Sequence, residues 1–243
     1  MNLSPVEQVA DYVSQGRCAL FVGPDIGESA GGYRGLPTSW QLADELAVRC
    51  NYQGRFRSLP QVAQIFEKRL DRFALVDYLR QRLDAPEYRP LPVHELIARI
   101  PFPVVVHGGW DTLLEQALQG QQIPFRSVRS NVDLPFVHPG EKQLLLYKPY
   151  GNVDDPGSLL ITEDDQLSLF YNLERVVERL KSVMEQYALL FVGYAPAQDT
   201  AFVRLYYEIR HLQADYLLPA VAVQSLSRAE DAAAWEARGV KVV

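Results

Sequence analysis

Short apolar segments alternate along the chain with longer stretches whose apolar residues have helical spacing. Seven segments have the length of strands: residues 17–23, 103–108, 124–129, 144–151, 188–194, 218–224 and 240–243. Five of them are nearly continuous apolar runs, which is typical of a parallel sheet that helices cover on both faces. The alternation therefore predicts an α/β fold with a Rossmann-like, doubly wound parallel sheet.

The connection between the first two predicted strands is unusually long. It contains about eighty residues, which is too many for a single crossover helix. Within it, residues 59–83 carry apolar side chains at three- and four-residue spacing, which predicts a long amphipathic helix or a pair of helices. Ser39 follows a segment rich in glycine and proline and is a candidate N-cap. We expect a small helical module at about residues 36–100, inserted into a single domain that spans residues 1–243.

Composition narrows the classes of partner and location. A net charge of −6, with no cluster of Lys or Arg, argues against direct binding to nucleic acid. No apolar run approaches the roughly 20 residues of a membrane span, and the first residues do not resemble a signal peptide. The two cysteines, Cys18 and Cys50, have no CxxC spacing and no nearby His, so we expect no zinc site and a cytoplasmic protein. The last predicted strand ends the sequence, as in a domain excised from the N-terminal part of a longer chain.

Four segments follow predicted strands, where open α/β sheets place their ligand sites. They read FVGPDIGESAGGYRGLPTSW, VVVHGGWDTLLEQAL, LLYKPYGNVDDPGSLLITEDD and LLFVGYAPAQDTAF. In this order and spacing they resemble the sirtuin-like (silent information regulator 2-like) domain of bacterial NAD-consuming defence proteins. The resemblance covers residues 19–243 and implies a nucleotide site for NAD.

The first segment departs from the pattern of that family. The resemblance implies that small residues in a GAGxS motif let backbone N–H groups meet the phosphates of NAD. This chain instead reads GPDIG from Gly23 to Gly27. Pro24 removes a backbone donor, and Asp25 and Glu28 bring carboxylates towards the phosphates. Each close pair of like charges costs on the order of 1–4 kcal/mol, so binding of NAD is in doubt.

The catalytic positions that the resemblance implies are also altered. Gly109 stands where active relatives have the Asn that positions the water or the ribose at the glycosidic carbon. Tyr150 stands where they have the His that acts as general base, and a phenol, with an ordinary pKa of about 10, is a poor base at neutral pH. Ala195 replaces a Ser that reaches the nucleotide. Together with the altered first segment, these three positions make four changes in the site, which indicate a lost or changed reaction.

The remaining candidate residues have both functional and structural interpretations. The cofactor contacts that the resemblance implies are Gly23, Asp25, Gly27, Trp40, Gly193, Tyr194 and Asp199. His107 is a candidate substitute base with Asp111 as its orienting carboxylate, but a structural histidine and a helix-capping aspartate are the preferred interpretations. Trp40 is interpreted as a core residue, Trp110 as filling the volume of a nicotinamide ring, and residues 162–165 as a capping box.

We therefore predict a catalytically degenerate pseudoenzyme in an anti-phage defence or signalling system. It would act as scaffold, assembly unit or nucleotide sensor, with a protein partner, a fused sensor domain or a homo-oligomer. Two alternatives stay open: an active NAD glycohydrolase (NADase) with a rebuilt site, and a protein for another nucleotide or an uncharged ligand. Protein deacetylation is disfavoured, because two cysteines cannot build the four-cysteine zinc site of such enzymes.

Overall fold

Seven parallel strands form one sheet in the computed structural model, which describes residues 4–28, 34–55, 58–137, 143–194, 200–213, 218–223 and 229–243. The strands are β1 (Cys18–Val22), β2 (Val104–His107), β3 (Phe125–Val128), β4 (Leu144–Tyr147), β5 (Ala188–Val192), β6 (Ala220–Val223) and β7 (Lys241–Val242). Their order in the sheet is β3-β4-β2-β1-β5-β6-β7. The prediction of an α/β, Rossmann-like fold is confirmed.

Helices cover both faces of this sheet. They are α1 (Pro5–Ser14), α2 (Ser39–Arg49), α3 (Leu59–Arg69), α4 (Arg72–Leu83), α5 (Pro92–Arg99), α6 (Leu113–Gly120), α7 (Glu163–Asn172), α8 (Glu174–Gln186), α9 (Thr200–Gln213) and α10 (Ala229–Glu236). One core cluster joins α1, α5 and α6 to the sheet, and another joins α7 to α10 to its opposite face. Of the helices in the described ranges, none combines the length and apolar character that crossing a bilayer requires.

The central strand β1 shows why the sheet lies in the interior. All five of its residues are buried, and successive side chains point to opposite faces of the sheet. Leu20 and Val22 therefore join the core under α1, α5 and α6, whereas Ala19 and Phe21 join the core under α7 to α10. A strand that is buried on both faces has to be apolar throughout, as its sequence CALFV is.

Helices α2, α3 and α4 build a separate core. Their buried side chains form a third cluster with residues from the loops that follow β2 and β4, and α5 instead packs against the sheet. The predicted helix over residues 59–83 is a pair, because the chain breaks at Leu70 and Asp71 caps α4 through the N–H of Ala74 at 2.7 Å. The limits of the inserted module, about residues 36–100, stay a prediction.

The expected N-cap of α2 is wrong by one residue. Helix α2 begins at Ser39, and the cap is Thr38, whose extended backbone leaves its hydroxyl free to accept the N–H of Gln41 at 3.2 Å. The side chain of Gln41 in turn accepts the N–H of Thr38 at 2.9 Å, which completes a capping box. Ser39 lies one position inside the helix.

The loop before α7 anchors the helical module. Thr162 and Asp165 form the predicted capping box, which is confirmed. Asp165 also receives a hydrogen bond from Arg72 of α4 at 2.6 Å, and Arg72 donates a second one to the carbonyl of Leu159 at 2.5 Å. Asp165 and the backbone of Leu159 therefore attach α4 to the loop before α7.

Candidate functional site

The carboxyl ends of β1 and β5 mark the place where the strand order reverses. The chain moves to one side of β1 with β2 and crosses to the other side with β5, and ligands of open α/β sheets bind at such a switch point. Here the two loops touch. The N–H of Gly23 donates to the carbonyl of Val192 at 2.9 Å, and a Cβ at position 23 would overlap the carbonyl oxygen of Gly193.

Gly193 needs to be glycine for its own conformation. Its φ is +61°, in the left-handed region that other residues rarely adopt, and a Cβ there would lie 3.1 Å from the backbone nitrogen of Ile26. The two glycines that the sequence assigned to NAD thus pack two loops against each other. This packing explains why both positions are glycine, without any contact to a nucleotide.

Tyrosine side chains occupy the space beside this contact. Tyr150 and Tyr194 are both buried, and with Gly108 they line a cavity of about 20 Å³ whose other walls are apolar. That volume holds about one water molecule. Trp110 does not line this cavity; its indole N–H donates to the carbonyl of Leu160 at 3.2 Å.

His107 at the end of β2 and Asp111 in the loop that follows lie side by side. Their nearest atoms, Nε2 and Oδ2, are 3.7 Å apart. A Cβ on Gly109 would lie 2.8 Å from both of these atoms, so the pair fills the space that a side chain at position 109 needs. Gly109, at the position of the expected Asn, therefore leaves the space that His107 and Asp111 occupy.

Neither member of this pair is accessible to a substrate. His107 is 0% exposed, and burial lowers its pKa to about 3, so the ring is neutral at neutral pH and the contact is not an ion pair. Burial alone would raise the pKa of Asp111, but the neighbouring His107 ring, the charge of Lys148 and the N–H of Leu113 give a net downward shift. That N–H belongs to the first residue of α6 and donates to Asp111 at 3.0 Å. The N-cap itself is Thr112, so Asp111 binds an N–H of the first turn from one position before the cap.

Replacing Gly109 by alanine should therefore destabilise the fold. We expect a loss of about 1–3 kcal/mol in the free energy of unfolding, because the new methyl group has to push His107 or Asp111 out of a packed position. Urea unfolding of the variant measures the loss. In a His107→Ala background the same change should cost less, since one of the two obstructing side chains is gone. Equal costs in both backgrounds would contradict the arrangement.

A buried ionic network lies beneath this loop. Lys148 donates to the carbonyl oxygen of Asp111 and, at 3.0 Å, to Oε1 of Glu115. Asn152 donates to the same oxygen at 2.9 Å. Burial raises the pKa of Glu115, and the charge of Lys148 opposes that shift. Sequence reasoning missed Glu115 and gave Lys148 no role; the available signal was a single acid on the apolar face of α6.

The carboxylate of Asp25 accepts hydrogen bonds within the protein. Its Oδ1 accepts the backbone N–H and the hydroxyl of Ser39, each at 3.3 Å, at the start of α2. A helix N-terminus is where an anion such as a phosphate would bind, and here a side chain of the protein is present instead. Pro24 is the first residue of a short 3₁₀ turn, where a missing N–H costs little, and Glu28 is exposed.

The structure brings only some of the predicted cofactor contacts together. Gly23, Gly193 and Tyr194 meet at the switch point, and Gly27 packs against Leu36 nearby. The interpretation of Trp40 as a core residue is wrong: it is 52% exposed, because α2 buries its opposite side, with Leu42, Ala43, Leu46 and Ala47. Asp199 and Ala195 lie outside the described residues.

Two features of the described residues narrow the space for a dinucleotide at the switch point. The loops after β1 and β5 touch through their backbones, and the cavity beside them has a volume of about 20 Å³. An acidic side chain lies at the helix N-terminus that follows β1. Within the same ranges, no three His, Cys, Asp or Glu side chains lie close enough together to hold a metal ion.

Comparison with known families agrees with the motifs and the sheet. A family model described as SIR2-like domain matches residues 103–243, which is more than half of the chain and includes three of the four motif segments. No curated protein matches the sequence. With this match added to a seven-stranded parallel sheet and motifs in the expected order, the chain belongs to the family of SIR2-like domains.

Proposed function

We propose that this chain is a catalytically degenerate SIR2-like domain, a pseudoenzyme that acts as scaffold, assembly unit or nucleotide sensor. The observation that carries the proposal is the filled site after β2. Gly109 replaces the expected Asn, and its space is occupied by His107 and Asp111, both of them buried. Tyr150 replaces the expected His and packs into the core. No described group in this arrangement is placed to bind a ribose or activate a water molecule.

The biological setting is proposed from the resemblance of the four motif segments. They are similar to domains of bacterial NAD-consuming defence proteins, so we propose a role in anti-phage defence or signalling, in the cytoplasm. A domain without catalytic activity of its own acts through other proteins or domains. A protein partner, a fused sensor domain or a second copy of the chain would then carry the signal.

An active NAD glycohydrolase with a rebuilt site is the second candidate. It is favoured by the proximity of a histidine and a carboxylate, 3.7 Å apart, at the carboxyl end of β2. His107 would act as the base and Asp111 would orient it. Such chemistry requires the loop after β2 to open, because the imidazole is fully buried.

Incubation with NAD tests the proposal directly. We expect the purified protein to release less than about one equivalent of nicotinamide per chain, since the site has neither a positioned amide nor an accessible base. Chromatography of the reaction mixture measures the release. Many turnovers, lost in His107→Ala but kept in the exposed α8 control Glu185→Gln, would overturn the proposal and establish the second candidate.

The sensor role has a separate test. Thermal unfolding with NAD, ADP-ribose and other nucleotides, each with and without magnesium, reports binding without catalysis. A shift that depends on ligand concentration supports a nucleotide sensor. The absence of any shift supports the scaffold or assembly role.

A further inference from the structure

Three of the described helices begin with the same kind of cap. The side chain at the third helical position accepts the N–H of the residue just before the helix. It is Glu7 in α1 at 2.7 Å, Gln41 in α2 at 2.9 Å and Asp165 in α7 at 3.0 Å. Glutamate and glutamine are the usual residues at this position. Their oxygen atoms remain acceptors near neutral pH, because carboxyl groups ordinarily take up a proton only near pH 4.

Helix α5 has a histidine at this position instead. Nδ1 of His94 accepts the N–H of Leu91 at 3.0 Å. That bond fixes the tautomer, because an accepting Nδ1 carries no proton and the proton of the neutral ring is then on Nε2. His94 is 1% exposed, and its Nε2 has no hydrogen-bond partner among the described residues. Helix α5 therefore begins with an acceptor that a single proton removes.

Protonation of His94 breaks this cap. A proton on Nδ1 would face the N–H of Leu91, and the carbonyl of Leu91 already accepts the N–H groups of His94 at 2.9 Å and of Glu95 at 3.3 Å. The buried N–H of Leu91 would lose its partner, and a charged ring would be buried. Burial lowers the pKa of His94, and Asp111 and the backbone of Leu91 oppose that shift.

His107 lies on the face of the sheet that α5 covers. Side chains alternate along β2, and Val105 belongs to the core cluster under α1, α5 and α6, so His107 points to the same face. His94 is among the groups that lower the pKa of His107, as expected for two rings close in space. Neither nitrogen of His107 has a hydrogen-bond partner among the described residues. Release of α5 would give this ring access to water.

We propose that His94 is a proton-sensitive cap of α5: its protonation releases the start of the helix, and the release lets His107 take up a second proton. Acidification thereby opens the protein beside the filled site after β2. The other ionisable groups around the two rings are Asp111, which favours their protonation, Lys148, which disfavours that of His107, and Glu115. Burial raises the pKa of Glu115, so its protonation in the closed state acts in the opposite direction.

Proton linkage gives the sign and the size of the effect. A histidine whose pKa is lowered by burial binds its proton more tightly once it is exposed. The closed state is therefore favoured above the ordinary histidine pKa of about 6.5 and loses that advantage as the pH falls. Between about pH 7.5 and about pH 5.5, each histidine raises the equilibrium constant for opening by up to about tenfold, and the two together by up to about 100-fold.

Hydrogen exchange of the full chain measures this opening without any nucleotide, so the result is independent of the proposed function. Mass spectrometry at the two pH values, corrected for intrinsic exchange rates, follows residues 92–99. We expect their protection to fall by about 100-fold in the wild type. At the lower pH, residues 59–69 of α3 should stay better protected than α5, because they belong to a separate core.

His94→Gln is the decisive variant. It gives α5 the residue that α2 uses at Gln41, so the cap bond persists at both pH values. Its protection at the higher pH should match that of the wild type, and the fall should shrink to about tenfold, from His107 alone. His211→Gln is the matched control, because His211 is exposed on α9, and it should behave as the wild type does.

Three outcomes would overturn the proposal. One is a fall in protection that is as steep in His94→Gln as in the wild type, which would make His94 a structural residue only. Another is protection of α5 in the wild type that does not change with pH. The third is an equal loss of protection in α3 and α5, which would mean that the whole chain unfolds rather than this helix.

Discussion

Alanine at position 23 should cost the fold about 3 kcal/mol or more, which leaves little folded protein at physiological temperature. The added Cβ would overlap the carbonyl oxygen of Gly193 and crowd the Cα of Tyr194, and backbone atoms cannot rotate aside as a side chain can. The two loops would have to separate, and the central pairing of β1 with β5 would be lost at its end. Urea unfolding and soluble yield measure the effect.

Gly120→Ala is the matched control for this change. Gly120 is the last residue of α6, and nothing lies within 4 Å of a Cβ there. Alanine favours helix over glycine, so this variant should be neutral or more stable by up to about 1 kcal/mol. If Gly23→Ala unfolds at the same urea concentration as Gly120→Ala, the close approach of the loops is wrong. The expected difference would show that the packing of the two loops requires glycine at position 23.

Removing the buried cation should have the second large effect. Lys148→Met leaves Glu115 as a buried carboxylate without its charged partner, and breaking such a pair costs about 3–5 kcal/mol. The double variant Lys148→Met/Glu115→Met should recover most of that loss, because two apolar side chains replace both charges. A double-mutant cycle of urea unfolding measures the coupling. If the losses in unfolding free energy of the two single variants simply add in the double variant, the proposed coupling of Lys148 and Glu115 is contradicted.

The pH dependence of the single variant has a definite sign. Burial already raises the pKa of Glu115, and loss of Lys148 removes the opposing charge. A carboxyl whose folded-state pKa is raised binds its proton more tightly in the folded chain, so folding is favoured below that pKa and penalised above it. The loss in unfolding free energy caused by Lys148→Met should therefore become smaller as the pH falls. Lys181→Met, which breaks exposed pairs with Glu178 and Glu208, should cost only about 0.5 kcal/mol.

The sheet was predictable because its signal is local. CALFV and ALLFV are runs of apolar residues with no polar interruption, and both become central strands buried largely on both faces. The predicted strands are longer than the observed ones, because pairing stops where the chain turns into the loops at Gly23 and Gly193. Such a turn is set by the neighbouring loop, which the sequence of either strand does not contain.

The site was only partly predictable. The altered positions 109 and 150 are visible in the motifs, but the reason that glycine suits position 109 depends on how two side chains fill its space. Lys148 and Glu115 are 33 residues apart, so no local pattern reveals that they pair. Trp40 was misinterpreted because similar sequences have a tryptophan after the glycine- and proline-rich segment that packs the loop, whereas its exposure here depends on the rotation of α2.

The central position of β1 also has a consequence during protein synthesis. β1 pairs on one side with β2 and on the other with β5, whose register joins Val22 to Val192 across 170 residues of chain. At ribosomal rates of about 5–20 residues per second, that side of the strand waits roughly 10–30 s for its neighbour. For this interval the nascent chain has an unpaired apolar strand edge, at which another chain could pair with it.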